Sequence, residues 1–334
     1  MFKNVGTKSE IELFANSLRC EIPKSVHNLA EMPFAIIGSG LSFSTANFLS
    51  AFLDFYSVRN RVYTPLEYCF NTPLSIPILL TYRGKNHDIE SVAQLIIRKG
   101  IKDCVILSGT INYPIASLLE KNGVTVHKIV LPVHSEERRF VSFRATMSMI
   151  SMSYNFALSF NNNNKKIELP DARKLWDISQ YTENQARTNA SKLIELDNFR
   201  NKKWIVVGKG FLDPFSVMMQ SVFAESGLAS IQIADYKDYT HGKYLSAFQE
   251  KNIIYFLLDY AVLSNIVQIM HERFSPIFTV FKIPVNGDEF INYFESALTI
   301  FYFAAALLEA QNDSFKAPPK PKEMRYWTSW GKIK

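Results

Sequence analysis

The chain is short of several things that particular functions need. No run of five or six lysines and arginines occurs, and 37 basic against 31 acidic residues leave only +6 over 334 residues. So mild an excess does not mark a dedicated nucleic-acid binder. There are three cysteines, Cys20, Cys69 and Cys104, and no C-x-x-C pair. Zinc ribbons and redox pairs are therefore unsupported, and the odd, scattered count suits a reducing compartment. The opening Met-Phe-Lys-Asn has no apolar core of a signal peptide. The most apolar helix-like stretch, Ala297 to Leu308, falls short of the roughly 20 residues a bilayer demands. These absences predict a cytoplasmic protein with no metal, no cofactor, and no nucleic-acid or membrane partner.

Core-forming material is plentiful. Hydrophobic residues make up 47% and charged residues 20%, which fits two domains of about 100–200 residues each. Phe34 to Ile37 is an apolar run stopping at Gly38-Ser39-Gly40, and Phe48, Leu49, Phe52 and Leu53 follow at helical spacing. Ile76 to Thr81 repeats the pattern: the run breaks at Tyr82-Arg83-Gly84-Lys85-Asn86-His87, Asp88 reads as a helix N-cap, and Gly100 closes that helix. Further strands are expected at Cys104 to Leu107 and Val124 to Leu131, and a Met-rich helix from Phe140 to Phe160. Strand and helix signals alternating at this spacing mean α/β with a parallel sheet.

The polar stretch Asn161 to Lys166 reads as a linker, and a helical region runs from Asp171 to Leu196. The opening pattern then returns: Trp204 to Val207 meets Gly208-Lys209-Gly210, 170 residues after Gly38. Later strands are expected at Ile253 to Leu258 and Ile277 to Phe281, and a last apolar helix from Phe290 to Glu309. A pattern seen twice implies two similar domains. The expected division is a helical segment over 1–29, a first domain over 30–160, a linker and connecting helix over 161–200, a second domain over 201–316 and a tail over 317–334.

A strand ending in G-x-G ahead of a helix offers backbone N–H groups to an anion; equally, it is a tight turn that needs glycine. The third glycine of a dinucleotide fingerprint is missing, because Phe43 holds its place, and no P-loop lysine follows. The break at Thr81 to Asn86 adds Arg83 and Lys85 as cationic donors. Two such turns on neighbouring parallel strands meet at the carboxyl edge of the sheet, where open α/β folds bind ligands.

These residues, and others after them, resemble the double sugar-isomerase (SIS) domain family over about residues 30 to 334. The family includes the isomerase half of glucosamine-fructose-6-phosphate aminotransferase and related sugar-phosphate deaminases and deglycases. Its first strand ends in G-x-G/S-x-S, similar to Gly38-Ser39-Gly40-Leu41-Ser42; its second ends in S-x-S-G-x-T-x-D, of which Gly84 and Asp88 match. Its E-x-x-x-x-S-T-K segment resembles Glu137 followed by Ser142-Phe143-Arg144, and its G-R-G turn resembles Gly208-Lys209-Gly210. Its K-E-I-S-Y resembles Phe223 to Ser226, and its E-x-x-H-G resembles Asp238 to Gly242, with Glu225 and His241 16 residues apart as in the family.

The resemblance implies two tandem doubly wound parallel-sheet domains and a phosphorylated sugar as ligand. It places the ligand's phosphate among Gly38, Ser39, Gly40, Ser42, Thr81, Tyr82, Arg83, Gly84, Lys85, Asn86 and Ser142. It makes Glu225 the base that moves a proton between C1 and C2, and His241 the acid/base that opens the sugar ring. Histidine suits the latter task because its ordinary pKa is about 6.5. A lysine near the C-terminus meets the substrate carbonyl in the family; Lys332 matches best, with Lys320 and Lys322 as competitors and a solvated tail lysine as the plain alternative. The resemblance further implies a homodimer, with His241 beside Glu225 of the other chain or near the interface. Two departures matter: Met218 and Val222 stand where the family carries glutamate and lysine. They favour an alternative function, a non-catalytic binding or sensor module for a phosphosugar or nucleotide-like ligand, whereas the retained Glu225 and His241 favour the first reading, a sugar-phosphate isomerase, deaminase or deglycase.

Overall fold

The computed structural model describes residues 5–71, 73–84, 86–110, 113–131, 142–161, 167–196, 198–208, 210, 213–250, 252–285 and 290–311. They form two compact units. The described residues of the first lie within Ser9–Arg138 and Arg144–Ala172; those of the second lie within Met1–Lys8, Arg139–Phe143 and Arg173–Pro318.

In the first unit, helix α1 (Lys8–Ser17) and a 3-10 helix (Lys24–Glu31) precede five parallel strands. These are β1 (Phe34–Ile37), β2 (Asn60–Tyr63), β3 (Ile76–Thr81), β4 (Asp103–Ser108) and β5 (Thr125–Val130), in the order β2-β1-β3-β4-β5. β1, β3 and β4 are nearly unbroken apolar runs because helices cover both faces of the sheet. On one face lie α2 (Leu41–Phe55) and α6 (Phe143–Leu158), where Phe52 meets Tyr154 edge-on at 5.2 Å and Phe34 meets Phe156 at 6.1 Å. On the other lie α3 (Pro65–Phe70), α4 (His87–Arg98) and α5 (Pro114–Lys121), closing a core with Ile37, Leu79, Ile106 and Tyr68. The helix closures are chemically specific. At α4, Gly100 (φ 67) donates its N–H to Ile97 O at 3.0 Å and Ile101 donates to Ile96 O at 3.2 Å, the paired bonds of a Schellman motif. At α2 the same left-handed position is held by Ser57 (φ 58), whose N–H donates to Asp54 O at 2.9 Å.

In the second unit, α7 (Ala172–Ile194) leads to β6 (Lys203–Val207), α8 (Asp213–Glu225), β7 (Ile231–Ala234) and the short α9 (Tyr236–Asp238). A π-turn (Tyr239–Lys243), α10 (Tyr244–Glu250), β8 (Ile253–Asp259), α11 (Ser264–Phe274), β9 (Thr279–Pro284) and α12 (Phe290–Ala310) follow. The strands are parallel in the order β7-β6-β8-β9. Strand for strand this repeats β2-β1-β3-β4, so Gly38 and Gly208 follow equivalent strands. Its two faces carry different aromatics. Trp204 and Phe256 point to the face of α8 and α12, with Phe223 5.5 Å from Trp204 and Phe303 5.8 Å from Phe256. Tyr255, the neighbour of Phe256, points to the opposite face and meets Phe274 of α11 at 5.0 Å and Tyr239 at 5.8 Å.

The last helix corrects one expectation. α12 runs for 21 residues, longer than the Ala297–Leu308 stretch, and by length and composition alone it is enough to cross a membrane. Its most apolar window is 72% buried within the protein, so burial, not shortness, accounts for its composition. Tyr302 on α12 shares a hydroxyl–hydroxyl hydrogen bond with Ser179 of α7, and Gly6 comes so close that a Cβ there would run into the Tyr302 hydroxyl.

Candidate functional site

The strand order of the first sheet reverses between β1 and β3, the position at which an open parallel sheet leaves a crevice at its carboxyl edge. The turns after β1, β3 and β4 border it. Gly38 has no room for a side chain, because a Cβ there would run into the backbone of Ser42. Gly40 (φ 56) stands at the N-cap of α2, and no side chain caps that helix, leaving its positive end turned to the crevice. Ser39 and Ser42 are half-buried on this turn.

The second turn is tied to the first. Asn86 Nδ2 donates to Ser39 Oγ at 2.6 Å, across 47 residues of sequence. Asn86 Oδ1 accepts the N–H of Asp88 at 2.9 Å, so the same side chain is the N-cap of α4. Asp88 was the expected cap. It lies at the second helical position instead, because Asn86 is the residue with extended backbone (φ −84, ψ 122) ahead of the helix. Thr81 is buried, and its Oγ1 accepts the N–H of Gly84 at 3.1 Å. Gly84 (φ 64) has the left-handed backbone that glycine tolerates, and a Cβ there would run into Tyr113. Tyr82 is half-buried with its ring against Gly109, and Arg83 is exposed on the same loop.

The turn after β4 went unread in the sequence although Ser108-Gly109-Thr110 directly follows an apolar run. Gly109 N–H donates to Tyr82 O at 3.0 Å and Thr110 N–H to Ser108 Oγ at 3.3 Å, which locks this turn to the β3 turn. Tyr113 is buried behind it, and burial pushes its hydroxyl up to about 12, with the charge of Glu120 adding to the effect.

Glu225 and His241 both lie in the second unit, and the sheet separates them. α8 returns from the carboxyl edge of β6 towards the start of β7, where Gln220 Nε2 donates to Ile231 O at 2.8 Å. Glu225 is its half-buried last residue, held by Gly227 (φ 71) and by Leu228 N–H donating to Phe223 O at 3.0 Å. Met218 and Val222 are fully buried on the same helix. His241 rides on the π-turn that leaves the carboxyl edge after β7, on the sheet face of Tyr255 and α11. The backbone there is irregular, with His241 at φ −86, ψ 17 and Gly242 at φ 132, ψ −21. Two tyrosines pin it: Tyr236 Oη donates to Leu258 O at 2.8 Å, and the hydroxyls of Tyr239 and Tyr255 are 2.6 Å apart. Burial raises the pKa of both Tyr239 and Tyr255. The imidazole of His241 is exposed and makes no hydrogen bond among the described residues. Within one chain the two groups therefore sit on opposite faces of the sheet, towards opposite edges.

No protein-family model matches the chain, and no curated protein matches it in sequence. Solved structures do match. The C-terminal domain of glucosamine-fructose-6-phosphate aminotransferase from Francisella tularensis is 12% identical, with 93% of this chain and 96% of that one covered and a TM-score of 0.70. Glucosamine-6-phosphate deaminase from Thermotoga maritima is 16% identical, covering 95% of this chain and 99% of its own, with a TM-score of 0.68. A Clostridium difficile 630 protein named for phosphosugar isomerase activity is 14% identical, with 96% and 95% covered and a TM-score of 0.74. The chain has the double sugar-isomerase fold. In its two SIS-type units, the Ser39 and Asn86 turns border the β1/β3 crevice of the first. Ser142 directly precedes α6 and groups with the second unit. Lys85, Glu137, Lys209, Lys320, Lys322 and Lys332 lie outside the described residues. Among the described residues no group of three or more His, Cys, Asp or Glu is placed to hold a metal ion.

Proposed function

We propose that the chain binds a phosphorylated sugar in the β1/β3 crevice and, as a cytosolic homodimer, transfers a proton between C1 and C2 of that sugar. The observation that carries this reading is the Asn86–Ser39 hydrogen bond, which joins two strand-end turns into one polar cradle at the start of α2. Arg83 on the same loop supplies a cation, and Ser42 a hydroxyl. The names of the matched structures, an aminotransferase domain and a deaminase of sugar 6-phosphates, support the substrate class.

In this reading His241 takes the proton of the anomeric hydroxyl and returns it to the ring oxygen as the ring opens. Glu225 then removes the proton from the carbon beside the carbonyl, leaving an enediol or enolamine, and delivers it to the neighbouring carbon. Because the sheet separates Glu225 from His241 in one chain, a second copy supplies one of them. Lys332 is proposed as the amine that meets the carbonyl.

A second reading is a sensor that binds the same ligand without turnover. Met218 and Val222, buried and apolar where the family is charged, favour it. Two measurements decide. Thermal shift with glucosamine 6-phosphate and fructose 6-phosphate should show stabilisation of about 2.7 kcal/mol at 100 times Kd. Equal shifts with the unphosphorylated sugars, or none with either, would overturn the phosphosugar assignment. Solvent deuterium appearing at C1 or C2 of a bound sugar phosphate marks the enzyme; tight binding without exchange marks the sensor.

A further inference from the structure

Away from the crevice, three side chains far apart in sequence form one hydrogen-bonded chain towards the amino edge of the first sheet. Ser25 Oγ is 2.9 Å from Nδ1 of His127, and Nε2 of His127 is 3.1 Å from Oδ1 of Asp103. His127 is on β5, Asp103 begins β4, and Ser25 lies in the first turn of the 3-10 helix. The side chains grade from core to solvent: His127 is 8% exposed, Asp103 34%, and Ser25 is open to solvent.

The donors in this chain are decided by elementary chemistry. A carboxylate only accepts, so Nε2 carries the imidazole proton towards Asp103. Nδ1 is then the acceptor, and the Ser25 hydroxyl donates to it. That arrangement provides a hydroxyl, a base within 2.6–3.2 Å and a carboxylate to steady the imidazolium, the requirement for an activated serine. The ring is turned around relative to serine hydrolases, with the hydroxyl on Nδ1 and the carboxylate on Nε2, but the roles are unchanged. A second feature points the same way. Pro23 stands at the cap of the 3-10 helix without a side-chain hydrogen bond, and among the described residues neither the Lys24 N–H nor the Ser25 N–H donates to a partner. A nucleophile whose own backbone N–H is open can hold the oxyanion formed by its attack.

We propose that Ser25 is a nucleophile that takes up an acyl group from small activated esters. Ser25 Oγ attacks the ester carbonyl carbon as its proton passes to Nδ1 of His127. The carbonyl reforms, the C–O bond to the leaving group breaks, and His127 hands its proton to the departing aryloxide. Water, deprotonated by the same nitrogen, releases the acyl group as the carboxylic acid and restores Ser25. The site is open surface, so it suits donors that are small and carry their own activation. It requires nothing of the phosphosugar crevice.

The test is p-nitrophenyl acetate with the full chain, followed by intact mass and peptide mapping. Ser25 should gain acetyl at least about 100-fold faster than exposed Ser230, the lower range of general-base assistance. His127→Asn should abolish that advantage, and Asp103→Asn should cut it about tenfold or more. Ser25→Ala should still unfold cooperatively, with a melting temperature lowered only by the lost hydrogen bond to His127, and should remove the modified peptide. Acetylation of Ser25 no faster than Ser230 in the wild-type protein, which needs no variant to fold, would overturn the proposal. An advantage that survives in a folded His127→Asn protein would do so equally.

Discussion

Glu225 and His241 lie on different faces of one sheet, so the proposed proton transfer requires two chains to bring them together. α8 spans 13 residues, about 20 Å at 1.5 Å per residue. Glu225 ends that helix beside the start of β7, whereas His241 follows the end of β7 on the face of Tyr255. The sharp consequence concerns mixed dimers. Glu225→Gln alone and His241→Asn alone should each lose about 10²–10⁴-fold in solvent-deuterium incorporation, leaving about 1% or less. In an equimolar mixture allowed to exchange subunits, half the dimers are mixed. In each mixed dimer one of the two equivalent sites has both native groups and the other has neither. Activity should therefore recover to about one quarter of wild type. The assay is deuterium incorporation into glucosamine 6-phosphate or fructose 6-phosphate after co-refolding or prolonged co-incubation, with differential tagging to count mixed dimers. If mixed dimers form and bind ligand but the mixture is no more active than its components, the cross-chain site is refuted.

Asn86→Asp keeps a good N-cap while placing a carboxylate in the anion cradle. Denaturant stability should hold within about 0.5 kcal/mol, whereas affinity for a sugar phosphate falls about tenfold or more by calorimetry and that for the free sugar does not. Ser57→Gly relieves a left-handed backbone at the exposed end of α2 and should raise stability by about 0.5–1 kcal/mol in a urea titration. Alkaline stability follows from the buried tyrosines. Tyr68, Tyr113, Tyr236 and Tyr255 are all raised above the ordinary value, chiefly by burial, and Tyr113 is raised to about 12. The folded chain holds these protons more tightly, so the stabilisation is whole below about pH 10 and drains as pH climbs from there through the folded-state values. Melting curves from pH 9 to 11 should decline, with proton release on unfolding; a flat profile contradicts the burial.

The alternation of elements and the paired glycine turns were legible because β1, β3, β4, β6 and β8 are buried on both sides and read as bare apolar runs. Among the described edge strands, the six-residue β5 and β9 were legible and β2 and β7 were not. Asn-Arg-Val-Tyr of β2 and Ile-Gln-Ile-Ala of β7 are only four residues long with polar side chains among them, which leaves no run to read. Helix α3 was missed although Thr64, Pro65 and Glu67 spell a capping box, which the structure forms in full. At the candidate site, local sequence indicated that the Thr81–Asn86 loop faces a ligand edge. It did not indicate that Asn86 reaches across to Ser39, since that bond depends on β1 and β3 pairing. The π-turn under His241 was invisible for a similar reason: its hold comes from Tyr255 and Leu258 on a strand not yet reached by the chain. The Ser25, His127 and Asp103 chain has no spacing signature, because 102 residues separate its first two members.

The contact between Gly6 and Tyr302 sets a schedule for synthesis. Gly6 cannot seat against Tyr302 until α12 exists, so it waits while the elements between them are made. At about 5–20 residues per second a ribosome takes about 15–60 s to reach that helix. The first unit can collapse during that interval, but Gly6 stays undocked and open to proteases and chaperones. A substitution at Gly6 that blocks its approach to Tyr302 should lower yield without altering the first unit's core.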